Sequence, residues 1–217
     1  MAPVIAVVDY QVGNMQSVVA ALRRAGASVV VTSDADTIRR ASAVVLPGVG
    51  SFTVAMQRLE VLGLPDVLRE RARAGVPLLG ICLGMQLLLE SGVEGAPGEP
   101  GGLVRSAELR GTPGLAILPG VSRKIPTDAK LPHMGWNQLR LTNPHRATVN
   151  LHDDDEMYFV HSYYADCPAS VVIAETEYGG VRIPAIIGRD NVVGCQFHPE
   201  KSSKIGQLVI QAFVAMK

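Results

Sequence analysis

Cysteine is scarce in this chain. The three present are widely spaced and form no C-x-x-C pair, which argues against a disulfide framework and a zinc site, and for a reducing cytoplasm. Net charge is also missing: basic and acidic side chains balance at a formal +0. With no basic run and no acidic tail, there is no electrostatic case for a nucleic-acid or anionic-membrane partner. No apolar run approaches the roughly 20 residues that a membrane span needs. The first residues lead directly into a strand pattern and show no charged leader or cleavage site. Tryptophan occurs once. No internal repeat appears, and no linker is long enough to divide the chain, so a single domain over 1–217 is expected.

What is present is a 47% hydrophobic composition, normal for a sheet covered on both faces. Strand-like runs at 4–9, 28–32, 43–46 and 77–81 alternate with helical patterns. Met15, Val18, Val19 and Leu22 form one helical face, closed by Gly26. Phe52, Ala55, Met56, Leu59 and Leu62 form another, and a third helix runs from about Pro65 to Ala74 with Gly75 as its stop. That order predicts an α/β fold with a mostly parallel, doubly wound sheet. The stretch 92–102 reads as a glycine- and proline-rich surface loop. Short β-like runs at 115–118, 137–141, 157–162, 171–176 and 185–187 predict an antiparallel extension of the sheet. A buried strand follows at 192–197, and then a final helix with Ser203 as its N-cap.

The most informative run is Gly80-Ile81-Cys82-Leu83-Gly84-Met85-Gln86. An apolar strand enters it, a helix-forming stretch at 85–90 leaves it, and glycines bracket the cysteine. This is a nucleophile elbow of the G-x-S-x-G type with cysteine in place of serine. Such a turn brings backbones so close that only glycine avoids the clash. It also sets the sulfur at the carboxyl edge of a sheet and the start of a helix, where a reactive thiolate is favoured.

A cysteine nucleophile needs a base, and the base needs an orienting group. The strand at 192–197 ends in His198-Pro199-Glu200. If the strands are parallel, His198 sits at the same sheet edge as Cys82, and Glu200 can reach back to hold the imidazole tautomer. Acyl transfer also needs donors for a developing oxyanion. The candidates are the Leu83 N–H and the loop Pro47-Gly48-Val49-Gly50, in which Val49 and Gly50 carry the peptide that reorients. Cys167 and Cys195 read as small hydrophobes, His145 and His152 as structural or exposed residues, and His133 and His161 as core or interface packing.

The elbow together with Gln196-Phe197-His198-Pro199-Glu200 resembles the class I (triad) glutamine amidotransferases. The runs Pro132-His133-Met134-Gly135-Trp136-Asn137 and Tyr158-Phe159-Val160-His161-Ser162-Tyr163 are similar, more narrowly, to the glutaminase subunits of imidazole glycerol phosphate synthase. The resemblance implies a flavodoxin-like amidotransferase fold and glutamine as substrate. It also implies a heterodimer with a (β/α)₈-barrel cyclase subunit, which receives the ammonia in a step of histidine biosynthesis. Catalysis would rest on Cys82, His198 and Glu200. Gln86, Ser162 and Tyr163 match substrate-contacting positions, and Asn14, Trp136, Tyr158 and Lys201 match partner-facing ones. No metal or cofactor is implied. Gln11 stands where the family usually has glycine. A glutaminase serving a different synthase is disfavoured by the His-Met-Gly-Trp-Asn run, and a silent scaffold by the presence of all three triad residues.

Overall fold

A computed structural model describes residues 4–11, 15–95 and 111–216. The first half alternates as expected: β1 (Val4–Val8), α1 (Met15–Arg24), β2 (Ser28–Thr32), α2 (Ala35–Arg40), β3 (Ala43–Gly48), α3 (Phe52–Val61), α4 (Leu64–Arg73), β4 (Leu78–Cys82) and α5 (Leu83–Leu87). The second half is strand-rich: β5 (Ser91–Gly92), β6 (Thr112–Pro113), β7 (Val121–Lys124), β8 (His133–Gln138), β9 (Arg140–Leu141), β10 (Glu156–His161), β11 (Tyr163–Asp166), β12 (Val172–Tyr178), β13 (Val181–Arg189), β14 (Val192–Cys195) and α6 (Ser203–Ala215).

The main sheet has eight strands in the order β2-β1-β3-β4-β14-β13-β12-β9. The first five run parallel and the last three are added antiparallel. Side chains of a strand alternate between faces, and the parallel strands fill both. Ile5, Val7, Val45, Leu79 and Ile81 pack towards α1 and α6. Ala6, Val8, Val44, Leu46 and Leu78 pack towards α2, α3 and α4. The result is a three-layer α/β fold. Among the described residues no helix is long and apolar enough to cross a membrane.

Several expectations shift. The antiparallel extension takes only part of the second half: β8 and β10 form a separate two-stranded ribbon, and β11-β7-β5-β6 a four-stranded sheet. The run 115–118 is not a strand. Its N–H groups, with that of Gly114, bond the carbonyls of Leu87, Leu88, Leu89 and Glu90. These carbonyls lie at the end of α5, where a helix leaves such groups unpaired, and just beyond it; α5 begins at Leu83 and stops at Leu87 instead of spanning 85–90. Helix α2 was not anticipated; the Asp34 carboxylate caps it by accepting the Thr37 N–H at 2.7 Å. The last strand ends at Cys195, and Ser202, not Ser203, holds the cap position of α6. Most of the 92–102 loop reading, together with Asn14, lies outside the described residues.

Candidate active site

The elbow is built by a backbone that has no room to spare. Cys82 sits at φ +54°, ψ −110°, on the side of the map that side chains avoid, a strain of roughly 1–3 kcal/mol. A Cβ on Gly80 would lie 2.7 Å from the Gly84 carbonyl oxygen and the Met85 nitrogen, and one on Gly84 would overlap the Leu46 carbonyl. The glycine bracket therefore lets α5 rest directly on β3 and β4. Register does the rest: Gly48 pairs with Cys82, and Cys195 with Ile81. The Pro47–Gly50 loop and the turn after β14 thus emerge beside the sulfur.

That turn is tied down by short bonds. Ser202 Oγ donates to the His198 carbonyl at 2.7 Å and accepts the Tyr158 N–H at 3.0 Å, while the His198 N–H donates to the Tyr158 carbonyl at 3.0 Å. Ser202 spends its hydroxyl on this turn rather than on capping α6. His198 Nδ1 bonds Glu200 Oε1 at 2.8 Å, both side chains being almost wholly buried. Burial opposes a charged imidazole here, but hydrogen bonding and charge from Cys82 and Glu200 outweigh it and raise the His198 pKa to about 9. His198 Nε2 is buried without a well-formed hydrogen bond of its own; Cys82 is close enough to act on it without completing one. The Cys82 sulfur also lies 3.9 Å from the Val160 carbonyl, which can accept its S–H.

These groups open into a cleft of about 470 Å³, lined by Val49, Gly50, Ser51, Cys82, Leu83, Gln86, Glu94, Pro132, Val160, His161, Ser162, Tyr163, His198 and Lys201. The expected substrate-side residues Val49, Gly50, Leu83, Gln86, Ser162 and Tyr163 all meet there. Gln86 is not a free amide: its Nε2 donates to the Tyr163 carbonyl at 2.9 Å and to Gln196 Oε1 at 3.1 Å, and its Oε1 accepts from Ser122 Oγ at 3.1 Å. Lys201 is exposed at the cleft rim. Trp136 and Tyr158 do not line the cleft; their rings meet edge-on at 6.0 Å on the ribbon, with Trp136 half exposed. Among the described residues no group of three His, Cys, Asp or Glu is arranged to hold a metal.

Sequence reasoning missed two features. Glu94 brings a carboxylate to the cleft wall, where its Oε2 accepts the Phe52 N–H at 3.1 Å; a lone acid in an irregular loop carries no pattern. His161 also lines the cleft. Its Nδ1 meets the Tyr163 carbonyl at 2.8 Å and its Nε2 meets His133 Nδ1 at 3.1 Å, while His133 Nε2 meets Asn137 Oδ1 at 2.9 Å. Burial lowers the His161 pKa to about 3, the Tyr163 carbonyl only partly offsetting it, so this imidazole stays neutral. The expectation of core or interface packing for His133 and His161 could not show what they would touch.

The glutamine amidotransferase class-I family model matches residues 6–216 of the chain. The imidazole glycerol phosphate synthase subunit HisH of Lactococcus lactis is 49% identical over 97% of this chain and 97% of its own. That of Bacillus cereus is 46% identical over 96% and 93% respectively. Among solved structures, a putative GMP synthase subunit from Thermoplasma acidophilum superposes with a TM-score of 0.71 over 100% of this chain and 94% of its own at 15% identity. PurLQS from Thermotoga maritima does so with 0.70, over 98% of each chain at 19%. At those identities the likeness is one of fold.

Proposed function

The chain belongs to the class I glutamine amidotransferases, and from that premise we propose how its site hydrolyses glutamine as the glutaminase subunit of imidazole glycerol phosphate synthase. The observation that carries the reading is a strained cysteine and a 2.8 Å histidine–glutamate pair at the edge of one cleft. Cys82 Sγ attacks the side-chain amide carbon of glutamine. His198 Nε2, the edge left without a bond, takes the thiol proton and returns it to the departing ammonia. Water then hydrolyses the glutamyl thioester to glutamate by the same base. Glu200 fixes the imidazole tautomer through Nδ1 and stabilises its charge.

The oxyanion of each tetrahedral intermediate is met by the Leu83 N–H, one of the unpaired donors at the start of α5, and by a peptide of the Val49–Gly50 loop. Ser162 and Tyr163 hold the substrate from the ribbon side. Gln86 acts mainly by fixing that wall, since both protons of its amide are already used. Glu94 is placed to receive the α-ammonium group of glutamine.

As one subunit of the synthase the chain works with a cyclase subunit. The finer statement, a heterodimer with a (β/α)₈ barrel that takes the ammonia without release to solvent, has its support in the rim. The half-exposed Trp136 and 61%-exposed Met134 share the outer face of β8, an aromatic–methionine patch of the kind that interfaces favour. Trp136, Tyr158 and Lys201 form the docking side, to which the family resemblance also assigns Asn14; the chain acts as one domain, and the cytoplasm is its compartment. The Pro47–Gly50 loop needs the partner to settle in its productive form, so the isolated chain is slow and the partner activates it. The deciding experiment is glutamate release with and without the cyclase subunit, for wild type and Cys82→Ala. Release that needs Cys82 and rises with the partner supports the reading; no complex with the cyclase, or unchanged release by Cys82→Ala, overturns it.

A further inference from the structure

Gln196 is fully buried directly behind the nucleophile, and the steps above give it no part. Its side-chain orientation is dictated by a chain of neighbours. The Tyr163 carbonyl can only accept, so the Gln86 atom facing it at 2.9 Å is Nε2. Gln86 Oε1 then faces the buried Ser122 hydroxyl, and the second Nε2 proton points at Gln196. Gln196 must answer with Oε1, and its own Nε2 is left aimed at Cys82 Sγ, 3.8 Å away. Flipping Gln86 would set its oxygen against the Tyr163 carbonyl and Gln196 Oε1, and flipping Gln196 would set two amide N–H groups against each other, in an interior where an unmade bond is expensive.

We propose that Gln196 is a positioning residue for the reaction, presenting a directed N–H to Cys82 Sγ so that the thiolate is held in place for attack. The proposal rests on the reading of Cys82 as the nucleophile. Two contacts on the sulfur oppose one another. The Val160 carbonyl can only receive the S–H and so favours the thiol. The Gln196 N–H can only donate, and its bond strengthens when the sulfur carries charge. The ionisable groups around the sulfur are His198 with Glu200 behind it, Tyr10 beyond the end of β1, and His161, Glu94 and Lys201 along the cleft. None of them takes the place of the Gln196 N–H, which comes up from beneath the sheet edge.

The test is the rate of Cys82 alkylation by iodoacetamide against pH, located by mass spectrometry, in wild type, Gln196→Met and Gln196→Glu. Methionine keeps the length and loses the donor. Glutamate keeps the bond from Gln86 and turns an oxygen towards the sulfur. With the fold intact by circular dichroism, the alkylation midpoint should rise by about one pH unit in Gln196→Met, with about tenfold slower labelling at neutral pH, and further in Gln196→Glu. A residue that only fills space would change stability and leave the midpoint alone. Midpoints unchanged in both variants overturn the proposal. A wild-type Cys82 that resists alkylation, or glutamate release that survives Cys82→Ala in the complex with the cyclase, overturns the reading beneath it instead. The wild-type protein gives an independent check that needs no variant to fold. The Gln196 side-chain amide protons should shift in NMR spectra through the Cys82 titration, and a pH-invariant resonance counts against the contact.

Discussion

Two histidine-bearing regions border the same cleft, the turn after β14 and the β8–β10 ribbon, and they put the same side chain to opposite use. In the turn, His198 has Cys82 in front of it and a buried carboxylate behind it, and together they raise its pKa to about 9. In the ribbon, His161 has a backbone carbonyl and a second imidazole as neighbours, and its pKa falls to about 3. Burial is the largest influence on both and pushes both downwards; what differs is whether a full negative charge stands within bonding distance. A buried histidine becomes a base for chemistry only where the fold also buries its counter-charge. Without one it is a neutral strut, here bracing the Tyr163 carbonyl that Gln86 also grips.

The widest separation between the regions should appear on substitution by asparagine. His198→Asn should cut glutamate release in the complex by roughly 10³-fold or more, whereas His161→Asn should stay within about tenfold of wild type, as for a group that only positions others. Equal losses would erase the distinction. Removing the counter-charge alone should cost less: Glu200→Gln keeps the shape and should lower the same rate by roughly 10²-fold. On the outward face of the ribbon, Trp136→Ala should weaken the complex with the cyclase by about 30-fold, the weight of an interface anchor, while changing the chain's own stability by less than about 1 kcal/mol. Titration of the complex and denaturant unfolding of the isolated chain check the two halves of that statement.

The same contrast should appear in stability against pH. Histidine ordinarily titrates near 6.5. His161, depressed in the fold, contributes stability that is present above pH 6.5 and lost as pH falls towards 3. His198, raised in the fold, contributes stability that is full below pH 6.5 and lost as pH climbs through about 9. Unfolding measured across that span should show His198→Asn flattening the alkaline limb and His161→Asn the acid limb. Both variants flattening the same limb would show that one of the two environments is misassigned.

The first of these regions was far easier to read from the sequence than the second. Glycines two residues either side of Cys82, and a histidine closing an apolar strand before Pro-Glu, leave their mark within a few positions, because the chemistry is held by local backbone geometry and by parallel strand register. The ribbon's contact between His133 and His161 spans 28 residues, and the neighbouring one between Gln86 and Tyr163 spans 77, distances over which no periodicity carries a signal. The misread run 115–118 failed for a related reason. Its residues are apolar as a strand's would be, and Leu115 and Leu118 are indeed buried, but its N–H groups are used by the end of α5. Helix α2 has only six residues and announces itself by Asp34 alone. Glu94 and Gln196 gain their surroundings entirely from tertiary packing.

One feature of β3 sets a mechanical limit on the site. The strand keeps its pairing as far as Gly48, with Tyr10 Oη donating to the Pro47 carbonyl at 2.7 Å and α5 pressed against Leu46. On the proposed mechanism, the peptide that turns to meet the oxyanion would have to turn beyond that clamp, at the exposed Val49 and at Gly50, whose φ of +94° is open to a reversal. The switch is thus shortened to about one peptide unit mounted on a rigid post. A device that small has two settings and little between them. If the partner activates the site as proposed, it need only turn that one peptide, and the same economy should leave few neutral substitutions at these two positions.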